Sequence, residues 1–468
     1  MDKDQNPDEG TGQRIVLIVA CVAAFITPFM TSSINLAIVD ISQQFQANSF
    51  LSGWVVNTYL LAAAAFLLPL GRLSDMIGRK KIFTLGMFIF FLATLLCALS
   101  WSIETLLAFR FVQGLGCSMI FGTAIAILTS AYPPQSRGKV LGINVACVYL
   151  GLSLGPIFGG VLNHNFGWQS IFWFVVLLSL IALLASLIFL KQDWRDNKEE
   201  KFDFIGSGLY CLGTTALLFG IMSLFDLNYG KYSALAGLFL LLTFLAYEYR
   251  QEYPILNVKL FSHNTVFIFS NLASLINYSS TFAVTYLISV YLQVVVCLNS
   301  QISGFIMLSQ PIFMAVLSPL AGRLSDRLEP RILASLGMAL ITVGLFIFSF
   351  LQNDTSLIKI IISLAFIGIG CAFFSSPNTN SVMSSVENRY MGIASSTLSV
   401  MRLSGQAFSM SFVTMFLAIY LGGTVELSQA NPDSVVTAAQ VSFRVFAVLC
   451  LLGVFASYAR GKLHQAQE

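Results

Sequence analysis

Charged residues are scarce in this chain. Asp, Glu, Lys and Arg make up 10% of its 468 residues, whereas 56% are hydrophobic. Soluble domains carry about 25% charged residues, so this composition excludes a water-soluble globular protein and predicts a chain embedded in the lipid bilayer. The formal net charge is only +3, which argues against a nucleic-acid partner.

Residue types that serve catalysis or metal binding are also few. The three histidines (His164, His263 and His464) fall in predicted loops or in the C-terminal tail. The eight cysteines are dispersed without CxxC spacing, so they predict neither a disulfide framework nor a zinc site. The chain has no P-loop sequence and no acid pair that the sequence places in the membrane. We therefore expect no cofactor, no metal and no enzymatic activity; an intramembrane enzyme is a distant alternative.

Long apolar segments fill the chain. A helix needs about 20 apolar residues to cross a bilayer, and 14 segments of that length can be drawn. They are 15–38, 51–71, 82–101, 105–130, 138–162, 170–190, 204–225, 232–248, 264–292, 302–321, 331–351, 357–377, 391–420 and 440–459. Residues 1–14 lack the basic region of a signal peptide, so the first segment is predicted to remain as a span.

The basic residues predict the orientation of these spans. With a cytoplasmic N-terminus, 20 Lys and Arg residues lie on the cytoplasmic side and only Lys231 and Lys359 lie on the other. This unequal distribution follows the positive-inside rule. We expect a multi-pass protein of the cell (plasma) membrane with both termini in the cytoplasm.

The densest run of charge, 191–203, follows the sixth span and predicts a boundary there. We expect a cytoplasmic N-terminal tail (1–14), an N-terminal six-helix bundle (15–190), a charged cytoplasmic linker (191–203), two inserted transmembrane helices (204–248), a second cytoplasmic linker (249–263), a C-terminal six-helix bundle (264–459) and a cytoplasmic C-terminal tail (460–468).

The pentapeptide Gly-Arg-Leu-Ser-Asp occurs twice, at 71–75 and 322–326, each time after Pro-Leu at the end of an apolar run. Such a repeat indicates two homologous halves, and parallel repeats build transporters that rock one half against the other. Gly71 and Gly322 are predicted to permit a tight turn where the chain leaves the membrane. Asp75 and Asp326 can accept hydrogen bonds at a neighbouring helix N-terminus and form a gate.

Basic residues follow the first copy of the pentapeptide. Gly78 and Arg79, which precede Lys80 and Lys81, extend the predicted gate motif. The alternative is that these basic residues only anchor the topology.

Four motifs, in order along the chain, resemble those of the 14-span drug:proton antiporters of the major facilitator superfamily. They occupy residues 71–81, 110–116, 151–160 and 401–406. The resemblance implies an all-α polytopic membrane protein with the major facilitator fold, in which two six-helix bundles and two inserted helices make 14 transmembrane helices.

The same resemblance implies secondary active transport by alternating access. It favours proton-coupled efflux of small amphiphilic or drug-like molecules, and its alternative is uptake or exchange of a neutral or anionic nutrient or metabolite. The expected partners are a small-molecule substrate, protons and the lipid bilayer, and the expected state is a monomer.

Arg110 lies within an apolar segment, where a cation costs about 2.5 kcal/mol or more. We expect it to face the bundle interior and to donate to Gln113, a carbonyl or an acid; the resemblance implies a role in proton movement or gating. The alternative is an arginine that snorkels to the membrane surface.

The span-five motif comprises four glycines and a proline. Gly151, Gly155 and Gly159 share one helix face and allow close helix packing, Gly160 completes the motif, and Pro156 adds a bend. This face is predicted to be a leak-tight, flexible seam between the halves, or else a packing face only.

Polar and aromatic residues within the spans are the candidates for lining a substrate cavity. They are Thr31, Asn35, Asn57, Tyr59, Asn277, Tyr278, Gln310, Asn378, Arg402 and Gln406. Arg402 and Gln406 lie one turn apart, and Arg402 can either contact an anionic substrate group or make a structural hydrogen bond.

Acidic residues are missing where the resemblance would place one. The antiporters often carry an Asp five residues before the Asn of span one; Asn35 matches that Asn, but Met30 occupies the Asp position. A lipophilic cation needs a buried acid as its partner, so we expect a neutral, amphiphilic or anionic substrate. Asp40, near the outer end of span one, is the candidate proton carrier.

Overall fold

The computed structural model of the chain describes residues 7–190, 193, 201–224, 229–256, 258, 264–325, 327–387, 391–422 and 425–461. Asp326, the acid of the second pentapeptide, lies outside these described residues. We number the α-helices in chain order. They are α1 (Pro7–Ser33), α2 (Ile38–Phe45), α3 (Ser49–Ile77), α4 (Arg79–Ala98), α5 (Ile103–Ala131), α6 (Pro134–Phe166), α7 (Gln169–Phe189), α8 (Phe204–Met222), α9 (Gly230–Glu248), α10 (Thr265–Val290), α11 (Ser300–Met307), α12 (Ser309–Ser325), α13 (Pro330–Phe348), α14 (Leu357–Ser384), α15 (Met391–Leu421) and α16 (Pro432–Ala459).

Fourteen helical stretches of the described chain are long and apolar enough to cross a membrane. This number confirms the prediction of an all-α polytopic protein. Helix α10 continues through a π-helical turn at Tyr291–Val295, and α11 and α12 together form one span, Ser300–Ser325. Because these described stretches are even in number, α1 begins on the same side of the molecule as that on which α16 ends. We call that side the terminal face and the other side the opposite face.

Side-chain caps explain where several spans begin. The Asn48 side chain accepts a hydrogen bond from the backbone of Leu51 at the start of α3, and Asn264 accepts one from Phe267 at the start of α10. Ser102 and Thr105 form a reciprocal capping box at the start of α5. These contacts satisfy backbone N–H groups that a helix end leaves without partners.

The predicted turn at Gly71 is wrong. Helix α3 runs through Gly71 to Ile77, and the turn lies at Gly78, where φ is 131°. Gly322 likewise lies inside α12. Gly71 lies against Gly122 of α5, and the lack of a side chain at Gly122 permits this close helix packing, since a Cβ added to Gly122 would lie 3.2 Å from the Gly71 Cα.

The helices pack as two groups and a hairpin. One group, which we call the first half, consists of α1 and α3–α7. The other, which we call the second half, consists of α10–α16. The helices of each half pack mainly on one another. Helices α8 and α9 pair with each other, and α8 packs on α3 and α15. The main packing between the halves joins α3 to α15 and α6 to α11.

Candidate functional site

A cavity of about 660 Å³ lies between the two halves. Its walls come from α5 and α6 of the first half and from α10, α12, α14 and α15 of the second. Gly322, Met383 and Met391, which line it, are close to helix ends on the terminal face. The cavity therefore lies nearer the terminal face than the opposite face, and its size suits a drug-sized ligand.

Most of the polar lining is uncharged. The polar side chains are Asn144, Tyr149, Ser274, Tyr278, Ser318, Ser375, Ser376, Asn378, Thr379, Asn380, Ser395 and Ser399. Ile125, Leu150, Phe374 and Leu398 add apolar surface. This mixture can hold an amphiphilic molecule, because hydroxyl and amide groups orient it while apolar groups supply contact area.

Arg402 is the one charged side chain in the described lining. Its guanidinium carbon lies 5.5 Å from the ring centre of Tyr278 and 5.8 Å from that of Phe121. Among the described residues no carboxylate pairs with it, and its buried Nε has no hydrogen-bond acceptor. A guanidinium between two aromatic rings is suited to an anionic or electron-rich planar group on a ligand.

A second, much smaller void of about 10 Å³ lies beside Arg402. Thr31, Tyr59 and Gln406 line it together with Arg402. The structure thus brings together four of the predicted cavity residues, but in a space that holds one water molecule at most. Arg402 borders both this void and the large cavity.

Arg110 is fully buried within the first half. Its Nε donates to the carbonyl of Val55 at 2.9 Å, and its Nη1 donates to Gln113 Oε1 at 2.6 Å. Gln113 in turn donates to Thr94 at 2.7 Å. The guanidinium also lies over the Tyr59 ring, 4.5 Å from its centre. The arginine therefore joins three helices from the bundle interior and does not snorkel to the surface.

Four of the predicted cavity residues lie elsewhere. Asn57 donates to Thr414 Oγ1 at 2.8 Å and so links α3 to α15. Asn35 and Asn277 are buried, but neither lines the large cavity. Gln310 does not line it either, and its backbone carbonyl packs against Gly368.

Tyr278 and Asn378, by contrast, do lie at the large cavity. Asn378 donates to the Ser274 hydroxyl at 2.8 Å and to the carbonyl of Ser270 at 3.2 Å.

Apart from Asn378, the polar residues that α6 and α14 contribute were not predicted from the sequence. Asn144 and Tyr149 are isolated polar residues that precede the glycine motif of α6. Ser375, Thr379 and Asn380 belong to the run Ser-Ser-Pro-Asn-Thr-Asn at 375–380. A polar run inside an apolar helix is a signal that could have identified this wall of the cavity.

Hydrogen bonds join the two halves at the opposite face. The Ser289 hydroxyl donates to the Asn35 carbonyl at 2.8 Å, and the Ser49 N–H donates to the Val425 carbonyl at 2.8 Å. Asn48 and Glu426 pair as an isolated antiparallel bridge. The halves are therefore in contact at the opposite face and separated by the cavity toward the terminal face.

The glycine motif of α6 has two packing faces. Gly151, Gly155 and Gly159 lie against α1 within the first half, where a Cβ on Gly151 would be 2.4 Å from the Phe25 carbonyl oxygen. Gly160 instead meets Ser300 of α11, in the other half. A Cβ added to Gly160 would be 2.5 Å from the Ser300 carbonyl oxygen.

The proline of the motif also takes part in this second face. The Pro156 carbonyl lies against Gly304 of α11 in the same way, at 2.4 Å from an added Cβ. Only glycines allow the backbones this approach, so α6 and α11 form a close seam between the halves.

The first pentapeptide lies within the first half. Arg79 forms an ion pair with Asp75 at 2.8 Å, and it also donates to Ser130 of α5. Asp193 accepts from the backbone N–H of Lys80 at 3.1 Å, at the start of α4. These contacts fix the turn at Gly78 against α5.

Asp40 lies outside the spans, on α2 at the opposite face. Its carboxylate accepts a hydrogen bond from Asn163, and burial raises the pKa of Asp40 above its ordinary value. A polar pocket of about 460 Å³ surrounds it, with Gln44, His164 and Gln293 among its lining.

Comparisons with known proteins are consistent with this geometry. Residues 20–410 match the model of the Major Facilitator Superfamily. The riboflavin transporter RibZ of Clostridioides difficile (strain 630) is 30% identical over 440 residues, which cover 94% of this chain and 96% of that protein. The multidrug resistance protein Stp of Mycobacterium tuberculosis is 26% identical over 430 residues, 90% of this chain and 80% of that protein.

A solved structure shows the same fold. The bacterial homologue of the human lysosomal transporter Spinster, in an inward-facing and unoccupied conformation, superposes with a TM-score of 0.68. The sequences are 16% identical, and the match covers 98% of each chain.

Proposed function

Because the chain belongs to the major facilitator superfamily, we propose that it is a secondary active transporter that works by alternating access. One observation carries the proposal: a ligand-sized cavity lies between two halves that touch at the opposite face. Breaking those contacts and closing the terminal side would expose the same cavity to the other side of the membrane. In this proposal residues 15–190 and 264–459 move as two bodies, and residues 204–248 are inserted between them.

We propose a small amphiphilic substrate that is neutral or anionic. The support is the lining, in which Arg402 lies between Tyr278 and Phe121 without an acidic partner in the described lining. A strongly cationic molecule would meet an uncompensated positive charge there.

Proton-coupled efflux is the mode that we propose, as in the 14-span drug:proton antiporters, and the multidrug relative supports it. The proposed proton site is Asp40, and Arg110 with Gln113 would relay the conformational change within the first half. Asp75 with Arg79 would form the gate at the terminal face, and Gly160 with Pro156 the moving seam. We place the protein in the plasma membrane as a monomer with its terminal face toward the cytoplasm, as the basic residues of the sequence predict.

Uptake or exchange of a neutral or anionic nutrient or metabolite is the second candidate, and the similarity to a riboflavin transporter supports a nutrient as the substrate. Riboflavin is a planar, uncharged aromatic molecule that the aromatic and amide groups of the cavity could hold.

Flux in proteoliposomes tests both candidates. The purified chain would be reconstituted, a pH gradient imposed in either direction, and the movement of riboflavin, an anionic dye and a quaternary ammonium dye measured. We expect the first or second compound to move and the third to remain. Movement of the quaternary dye alone would contradict the proposed substrate class, and movement of none would contradict the proposed function.

A further inference from the structure

The hairpin of α8 and α9, the inserted hairpin, carries two carboxyl groups at its terminal-face end. In each group, one oxygen accepts hydrogen bonds from the protein. Asp203 caps α8, and its Oδ1 accepts from the backbone N–H of Gly206 at 2.8 Å and from the Tyr247 hydroxyl at 3.3 Å. Glu248 ends α9 and is 1% exposed; its Oε2 accepts from the backbone N–H of Leu256 at 3.1 Å. Glu248 therefore holds the linker that leads to the second half.

The remaining oxygens face each other. Asp203 Oδ2 and Glu248 Oε1 are buried, and neither has a hydrogen-bond donor among the described residues. Both lie beside Gly206, at 2.4 and 2.3 Å from the position that a Cβ would occupy there. The two carboxyl groups are thus within hydrogen-bonding reach of each other. Gly206 leaves room for this approach because it has no side chain.

No neighbouring cation compensates the pair in the described part of the chain. Lys201, Arg250 and Glu252, the nearest charged residues in sequence that the structure describes, are exposed, and no bond from any of them to either carboxyl group is described. Tyr247 is the remaining titratable group in contact with the pair.

In the described contacts, the other helices packed on α8 meet it through uncharged groups. Asp75, near the terminal-face end of α3, pairs with Arg79. Helix α3 meets α8 through Tyr210 and Cys211, whose polar hydrogens go to the carbonyls of Ala64 and Ala65. Helix α15 also packs on α8, and its one charged residue, Arg402, lines the cavity instead.

Two ionised carboxylates in this position would repel each other and leave two buried oxygens without donors. One proton removes both problems, because it converts one carboxyl group into a donor and the other into its acceptor.

We propose that Asp203 and Glu248 share one proton, and that this pair is a pH-sensitive latch on the linker between the inserted hairpin and the second half. Release of the proton places two negative charges against each other, and their repulsion displaces the Glu248 side chain and loosens the hydrogen bond that the Leu256 N–H donates to it. The linker 249–256 is then held less firmly at the terminal face. The consequence for turnover depends on the proposed transport function, whereas the proton site itself does not.

The test uses the purified full-length chain and two measurements that require no flux. Infrared difference spectroscopy follows protonated carboxyl groups during a pH titration, and hydrogen–deuterium exchange follows the backbone of 249–256. In the native chain we expect one carboxyl signal to be lost as pH rises. Exchange at Leu256, after correction for the intrinsic pH dependence of amide exchange, should increase about tenfold over the same pH range, as for a lost hydrogen bond to a charged group.

Glu248→Gln and Asp203→Asn imitate the protonated pair, since each amide donates to the remaining carboxylate and keeps the other oxygen as an acceptor. Both variants should lack the carboxyl signal and show slow exchange of 249–256 throughout the titration. Glu104→Gln, which changes an exposed carboxylate at the opposite face, is the matched control and should behave as the native chain.

A carboxyl signal that survives in both amide variants, or linker exchange that does not follow the signal, would overturn the proposal. In proteoliposomes that do transport, Glu248→Gln should weaken the dependence of turnover on pH at the terminal face and leave only the dependence that proton coupling itself imposes. Absence of flux from every chain would instead refute the transport function and leave the spectroscopic result standing.

Discussion

The glycine contacts of the α6–α11 seam predict how two methyl groups would change the conformational equilibrium. Added Cβ atoms at Gly160 and Gly304 would lie 2.5 and 2.4 Å from carbonyl oxygens of the facing helix, whereas ordinary contacts begin at 3.4 Å. The double variant Gly160→Ala, Gly304→Ala must therefore move the helices apart by about 1 Å at this seam, because backbone atoms cannot rotate away as a side chain would.

Overpacking of this kind costs about 1–3 kcal/mol, and here it acts only while the halves touch at the opposite face. A cost of about 2 kcal/mol would shift the equilibrium about 30-fold toward the conformation that is open there. Electron–electron distance measurements would detect the shift. One spin label is attached to Cys297, which is exposed on the second half, and the other to Gln43→Cys on the first half, with the remaining cysteines replaced.

The double variant should show a larger population at long distance between the two labels. Gly208→Ala is the matched control, since nothing lies within 4 Å of a Cβ added to Gly208; this variant should keep the native distance distribution. If the double variant folds and its distribution equals that of the control, the seam does not move and our reasoning about it is refuted.

Three further substitutions test the proposed roles of individual residues. Arg402→Gln should raise the KM for an anionic substrate at least tenfold with little change in thermal stability, because the described guanidinium makes no ion pair that stabilises the fold; an unchanged KM would remove Arg402 from the site. Arg110→Lys should lower stability by about 1.5–3 kcal/mol, since a lysine cannot bond Val55 and Gln113 together as the guanidinium does, and full stability in a thermal unfolding assay would contradict that reading. Asp40→Asn should remove one step from the pH dependence of stability. Burial raises the pKa of Asp40. The contribution of the protonated Asp40 to the free energy of unfolding is therefore fully present at acidic pH and is lost as pH rises through that raised pKa. The same variant should weaken proton-driven flux in proteoliposomes, and normal coupled flux would exclude Asp40 as the proton site.

The spans could be predicted from the sequence because lipid demands continuous apolar helices, whatever the helices pack against. The partners of Arg110 were predictable for a related reason. Gln113 follows three residues later on the same helix face, and a buried guanidinium must find acceptors nearby.

Contacts between distant segments were not predictable in the same way. Asn57 was expected in the cavity because it is polar and within a span, but which helix faces it depends on the packing of α3 against α15. The turn at Gly78 was misplaced to Gly71 because a glycine in a membrane helix can serve either a turn or close packing, and the sequence does not distinguish them.

The acid pair of the inserted hairpin shows the same limit. Asp203 and Glu248 lie at the start of one helix and the end of the next. From the sequence, each is predicted only to be a carboxylate at a membrane boundary. Only the antiparallel packing of α8 on α9 places them together and buries them.

Alternating access is most directly tested by locking the opposite face. Asn48 and Glu426 pair across the halves as an antiparallel bridge, so cysteines at these positions are close enough to form a disulfide. Flux of a transported compound would be measured in proteoliposomes with the double cysteine variant, first oxidised and then reduced. Our account predicts that oxidation stops flux and that reduction restores it; undiminished flux through the fully oxidised protein would contradict it.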